Sequence, residues 1–307
     1  MEIWFYHSQA LVDTLQFLNY MAHAGWASAC HGEAYFRGYR RMTANTMLNL
    51  WLAAFVAVGV ALGIATGFFK ARKIQPRGFK WKIFRNEALY GVITILVSGT
   101  VIGFINKWLI AYGIIAPKHE AARWWAIALE YAAYFIGFDT WFYWLHRWMH
   151  KEPIYSWVHK LHHKSTAPNL LTTIAVNPLE SLINGGFVPL FLSIVTVHDA
   201  TMALILPTNI VMGLYVHSGY EFFPRWWNRS WATKWFITAT FHDQHHRYFN
   251  YNFGGYTTIW DRLCGTMRAK FEADFEKPKV RRARLDQAPA QAQTQVAPDI
   301  EQVSPAE

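Results

Sequence analysis

Apolar residues fall in long blocks along this chain rather than alternating with polar ones. The block from Thr46 to Phe69 is long enough to cross the roughly 30 Å of bilayer hydrocarbon as a helix. KARKIQPRGFKWKIFR follows, carrying Lys70, Arg72, Lys73, Arg77, Lys80, Lys82 and Arg85. Cytoplasmic loops collect Lys and Arg, so this loop is predicted to be cytoplasmic and the N-terminus to lie outside. Ala88 to Ala116 is predicted to cross back, with Lys107 near its outer end, and Ala122 to Leu145 to return, running without a break into His146. After a KEP break, Pro153 is placed to open a new helix. Leu182 to Leu206 is apolar except at His198 and Asp199, which fit a tight outer turn; the second arm of this hairpin ends at His217.

The pattern predicts an all-α integral membrane protein, with about four transmembrane helices and a cytoplasmic helical cap. Residues 1–45 are aromatic and mildly polar, an N-terminal interfacial segment; 46–279 form the membrane domain; 280–307 are rich in Ala, Gln and Pro, a disordered tail. Composition agrees: 53% of residues are hydrophobic and 16% charged, against roughly 25% charged in soluble domains. The net charge of +9 resides beside apolar runs, which favours a cytoplasmic membrane face over nucleic acid. Cys30 and Cys264 cannot by themselves build a disulfide framework or an iron–sulfur cluster. MEIWFYHSQ has no basic stretch ahead of an apolar core, so no cleaved signal peptide is expected.

Histidine placement changes the picture most. HRWMH holds His146 and His150, HKLHH holds His159, His162 and His163, and HDQHH holds His242, His245 and His246. Offsets of three and four put such residues on one helical face, which is how a helix supplies two ligands to one metal. A lone histidine among apolar residues is ordinarily a hydrogen-bonded core residue, but eight of fourteen in three matched clusters point to metal, and to two ions rather than one. His217, at the end of a predicted span on the same side, is a ninth candidate. His7, His23, His31, His119 and His198 are predicted to lie on the opposite side of the membrane. Asp139 precedes His146 by seven residues and could hold a ligand imidazole from behind; Glu180, Asp243 and Asp261 are further candidates for that role. Trp141, Trp144 and Trp148 fit an interfacial aromatic belt.

Neutral nitrogen ligands beneath a lipid-facing bundle suit activation of O₂ by non-haem iron. Zinc hydrolysis is the chemical competitor, and the HExxH helix it would use is absent from the sequence. The non-enzymatic alternative is a histidine-rich membrane protein that binds or transports metal without redox catalysis. Transport ordinarily needs ionisable groups within the spans, whereas these clusters lie past the span ends.

The order HRWMH, HKLHH, HDQHH resembles the three histidine boxes of the fatty acid hydroxylase and sterol desaturase superfamily, over roughly Ala122 to Met267. NPLE at Asn177 to Glu180 and HSGYE at His217 to Glu221 share the resemblance, and NPLE adds Asn177 to the residues expected around the ligands. HHRYFNYNFGGYTTIWDRLCGT looks most like sterol C5-desaturases, and HKLHHKSTAP and HSGYE more like the C4-methylsterol oxidase branch. The resemblance implies two iron ions, O₂ as co-substrate, a sterol-like or fatty acyl membrane lipid, and hydroxylation or desaturation as the reaction. The sequence carries no Rossmann-type glycine fingerprint and no cysteine cluster, so the electron donor is expected to be a separate ferredoxin or b-type cytochrome with its reductase.

Overall fold

The computed structural model describes residues 80–116 and 118–277, with short pieces at 53, 56–61, 63–64 and 72–75. Residues 1–45, most of the Thr46–Phe69 block, the C-terminal tail and His7, His23 and His31 lie outside the described residues. No β-strand forms among the described residues, only three isolated bridges. In order come α1 (Trp81–Ala111), α2 (Trp124–Met149), a π-helical turn (Tyr155–His159) running into α3 (Lys160–His163), a 3-10 turn (Leu170–Thr173), α4 (Pro178–Gly185), α5 (Phe187–Ile194), α6 (Asp199–Val216), α7 (Ala239–Tyr248) and α8 (Ile259–Leu263).

Two described helices, α1 and α6, are long and apolar enough to cross a membrane. The packing of α1 is inverted relative to a water-soluble helix. Its buried positions are Glu87, Gly91, Thr94 and Ser98, while Leu89, Val92, Leu96 and Phe104 face outward. Steps of four, three and four make the buried set one stripe. An outward apolar surface costs nothing in lipid, whereas polar groups must find partners inside. They find them in the stretch from the end of α3 to the first residue of α4. Thr94 Oγ1 donates to the Val176 carbonyl at 2.6 Å and Ser98 Oγ to that of Pro178 at 3.3 Å. The Glu87 carboxylate accepts from Ser165 Oγ, from Asn169 Nδ2 at 2.6 Å and from Thr172 Oγ1 at 3.0 Å.

The expected boundaries shift at α1, which begins at Trp81 rather than Ala88 and stops at Ala111 rather than Ala116. Nothing from Lys80 onward breaks the helix until Gly113, whose φ of +70° ends it. As expected, α2 continues unbroken through His146, to Met149. The first arm of the expected hairpin is two short helices, α4 and α5, joined at Gly186.

The bundle has two distinct ends. At one, the α1–α2 loop meets the α5–α6 turn: Lys118 N donates to the Val197 carbonyl at 2.9 Å, and Glu130 of α2 lies 2.7 Å from His198 Nδ1. At the other end, residues 72–74 lie along 219–222, with Ile74 N donating to the Gly219 carbonyl at 3.0 Å and Glu221 N to that of Arg72 at 3.1 Å. Gln75 Nε2 donates to both carboxylate oxygens of Asp243, each at 2.9 Å. The start of the basic loop therefore shares an end with the histidine clusters, while His119 and His198 sit at the far end.

Candidate metal centre

Two helix ends, two short turns and one cap helix supply the histidines. His146 lies in the last turn of α2 and His150 is its C-cap; His159 ends the π-helical turn; His162 and His163 are on α3; His217 caps α6; His242, His245 and His246 are on α7. The structure brings all nine together, in two groups. His146, His150, His159, His163 and His245 form one; His162, His217, His242 and His246 form the other. The groups abut, with the His163 and His246 ring centroids 4.9 Å apart and those of His159 and His162 5.4 Å apart.

Within each group the Nε2 atoms converge. His163 Nε2 lies 3.0 Å from that of His159, 3.0 Å from that of His245 and 3.2 Å from that of His150. His146 and His159 approach to 3.0 Å. In the second group the spacings are 3.3 Å for His217–His162, 2.9 Å for His242–His217 and 3.2 Å for His246–His242. Hydrogen bonding cannot account for this convergence. One imidazole nitrogen offers a single in-plane lone pair or a single N–H, and His163 Nε2 has three nitrogen neighbours. Metal–imidazole bonds of about 2.0–2.1 Å meeting at 90–109° would space the nitrogens about 2.8–3.4 Å apart, which is the range found. The donor set fits first-row metals that accept imidazole, iron among them.

The opposite ring nitrogens fix the tautomers. His146 Nδ1 lies 2.9 Å from the Phe253 carbonyl, His245 Nδ1 2.7 Å from that of Tyr251, and His217 Nδ1 2.8 Å from that of Gly213. An Nδ1–H donated to a carbonyl leaves the Nε2 lone pair free for the group centre. Burial pushes every one of these imidazoles toward the neutral form. It lowers His146 and His217 to about 4 and His150 to about 2, and holds His159, His162, His163, His242, His245 and His246 well below 6.5, with neighbouring imidazoles adding to the effect. Neutral imidazole is the form that binds metal.

The carboxylates divide. Glu180 Oε1 stands 2.9 Å from His159 Nδ1, within hydrogen-bonding reach of that imidazole. Asp261 acts at one remove: it accepts from Phe253 N at 2.9 Å and Gly254 N at 2.7 Å, holding the strand of chain whose carbonyl meets His146. Asp139 departs from expectation. Its carboxylate turns to the backbone N–H groups of Tyr256 and Thr257, both at 2.8 Å, rather than to an imidazole, because the 251–258 segment packs between it and the histidines. Asn177 caps α4, accepting from Leu179 N at 2.9 Å and donating to the Trp157 carbonyl at 3.0 Å. Trp144 and Trp148 are about half exposed, but Trp141 leaves the expected belt: its Nε1 donates to the Ile183 carbonyl at 3.2 Å and its ring packs on Phe187. The carbonyls of Gly213, Tyr251 and Phe253 went unforeseen, since a backbone acceptor leaves no mark in residue type.

Comparison with known proteins gives a consistent outcome. The fatty acid hydroxylase family model matches residues 131–266. Methylsterol monooxygenase 1 of Gallus gallus is 31% identical, over 67% of this chain and 67% of its own length. Methylsterol monooxygenase erg25A of Aspergillus fumigatus is 36% identical over 47% of this chain and 50% of its own. A Delta(7)-sterol 5(6)-desaturase of Candida glabrata is 27% identical over 58% of this chain and 46% of its own. The chain thus spans about half to two thirds of the length of these curated relatives. No solved structure matches it.

Proposed function

Because this chain belongs to the fatty acid hydroxylase and sterol desaturase superfamily, we propose that it is a membrane-bound non-haem di-iron oxygenase that hydroxylates or desaturates a sterol-like or fatty acyl lipid. The observation that carries the proposal is the convergence of nine neutral imidazoles into a five-histidine and a four-histidine group. His146, His150, His159, His163 and His245 would hold one ion; His162, His217, His242 and His246 the other. When bound, the iron pair supplies the O₂-dependent redox chemistry that removes hydrogen from an unactivated C–H bond. Hydroxylation consumes the substrate, O₂, two electrons and two protons and yields an alcohol and water; desaturation consumes the same and yields an alkene and two waters.

The chain's own residues supply ligand orientation and an apolar approach. Carbonyls and Glu180 hold the imidazoles in place, and Phe142, with its ring 5.0 Å from that of His146, screens the α2 side of the site from water. Sterol chemistry is favoured because the relatives named above are methylsterol monooxygenases and a sterol desaturase. The proposed topology has about four spans, with the histidine-bearing cap on the cytoplasmic face. Support comes from the contact of residues 72–75, at the start of the basic loop, with 219–222 and with Asp243 near the histidines. Electrons come from a separate ferredoxin or b-type cytochrome with its reductase. A metal carrier without redox chemistry is disfavoured because the histidines lie at or beyond the ends of α2 and α6, not within them.

Expression of the iron-loaded protein with an electron donor under ¹⁸O₂, followed by mass spectrometry of lipid extracts, tests the proposal. A labelled lipid alcohol, or a lipid short of two hydrogens, is expected. An unchanged lipid profile across sterol and acyl substrates, with metal uptake responding to the protein, would overturn it.

A further inference from the structure

The nine histidines are not equally enclosed. Eight are buried, and His150 alone is only partly so. It caps the end of α2, so the side of the site that it opens lies beyond the helix, away from Phe142 and the apolar interior. Two aromatic rings stand at this opening. Tyr155 has its ring centroid 5.6 Å from that of His150 and 6.0 Å from that of His163. Phe249 lies 4.9 Å from His163 and 6.5 Å from Tyr155.

Phe249 reaches that position through a strained backbone. Its φ is +59° and ψ −46°, and Asn250 N donates to the Tyr248 carbonyl at 2.6 Å, closing a γ-turn of the rare hand. A bulky residue at positive φ is held there only by its surroundings, and such strain gathers at functional sites. The residues that directly follow the clustered histidines are basic. Each histidine cluster is followed at once by an exposed cation: Lys151 after His150, Lys164 after His163 and Arg247 after His246. Within 146–164 the one acidic residue is Glu152, which accepts from Ser156 Oγ at 2.9 Å.

We infer that this face, centred on His150, Tyr155 and Phe249 and rimmed by Lys151, Lys164 and Arg247, is the docking surface for a small acidic electron-carrier protein. The inference rests on the oxygenase reading, which needs electrons from outside the chain. Lipid has its approach on the apolar α2 side, which leaves the side of the partly exposed His150 for a partner from water. Charge complementarity decides the partner, since a ring of cations steers and orients an acidic protein. Each docked one-electron carrier leaves oxidised, so two visits supply the two electrons that a turnover consumes.

The test uses the full chain, iron-loaded, in phosphatidylcholine nanodiscs, with an acidic [2Fe–2S] ferredoxin as the probe. Binding is measured by titration at low and high salt, for the native protein and for Lys151→Glu, Arg247→Glu and, as a control, the exposed Arg229→Glu, whose side chain pairs with Glu276. Iron content is read on each sample, so that loss of the site is told apart from loss of docking. Binding to the native protein should weaken steeply with salt. Lys151→Glu and Arg247→Glu should each weaken it by about tenfold while Arg229→Glu does not. Salt-insensitive binding to the native protein, or an equal loss at all three positions, would overturn the docking surface. Failure of the oxygenase reading is scored separately, by the lipid products obtained when dithionite replaces ferredoxin.

Discussion

At Gly254 the chain passes so close to itself that a methyl group has no room. An added Cβ would sit 2.2 Å from the Thr257 carbonyl oxygen and 3.0 Å from Asp261 Oδ2. The neighbouring Phe253 carbonyl is the acceptor that sets the tautomer of His146. Gly254→Ala is therefore expected to cost about 1–3 kcal/mol, the usual price of an overpacked site, read as a lower Tm, with weakened metal retention at the five-histidine group. An unchanged Tm would show that the segment can move aside. The histidines themselves were legible from spacing, and the geometry explains how they divide. Adjacent residues on a helix point about 100° apart while residues four apart nearly align. His162 and His163, or His245 and His246, therefore part company, whereas His159 pairs with His163 and His242 with His246. Which pair joins which group depends on how α2, α3, α6 and α7 pack, and no single helix records that. Asp139 misled for a related reason: the seven-residue step gave its helical face correctly but said nothing of the 251–258 segment that intervenes.

Among the elements, α1 is the most directly testable. Its inward stripe of Glu87, Gly91, Thr94 and Ser98 would be a surface stripe in water, and its outward Leu and Val a liability. The arrangement is the one expected of a helix with lipid on its outer side. With Cys30 and Cys264 replaced, single cysteines at Lys80 and Tyr112 would flank this helix, and Tyr112 is 69% exposed. Impermeant thiol reagents should label Lys80→Cys from the cytoplasmic side and Tyr112→Cys from the opposite side; labelling of both from one side would contradict the span. The long helices were readable because apolar blocks are local signals, although the predicted block ran past Gly113, where α1 has already ended. The π-helical turn that ends at His159 was not, since no residue in YSWVH marks it; it packs between α2 and α4.

For the molecule as a whole, the two ends of the bundle carry different chemistry. Glu130 and His146 are both on α2, sixteen residues and so about 24 Å apart along the helix. Near Glu130 the histidine His198 is tied to a carboxylate; near His146 eight other imidazoles converge. Composition and charge foreshadowed a membrane protein with one basic end, and the contacts of residues 72–75 join that basic end to the histidines. The central claim is that the nine histidines form two separate metal sites, and metal analysis of variants tests it most directly. Iron-loaded native protein should hold two ions per chain. The double variant His162→Ala/His246→Ala should retain about one, and His150→Ala/His163→Ala about one, because each removes ligands from a single group. A native protein holding one ion, or either double variant still holding two, would contradict the account.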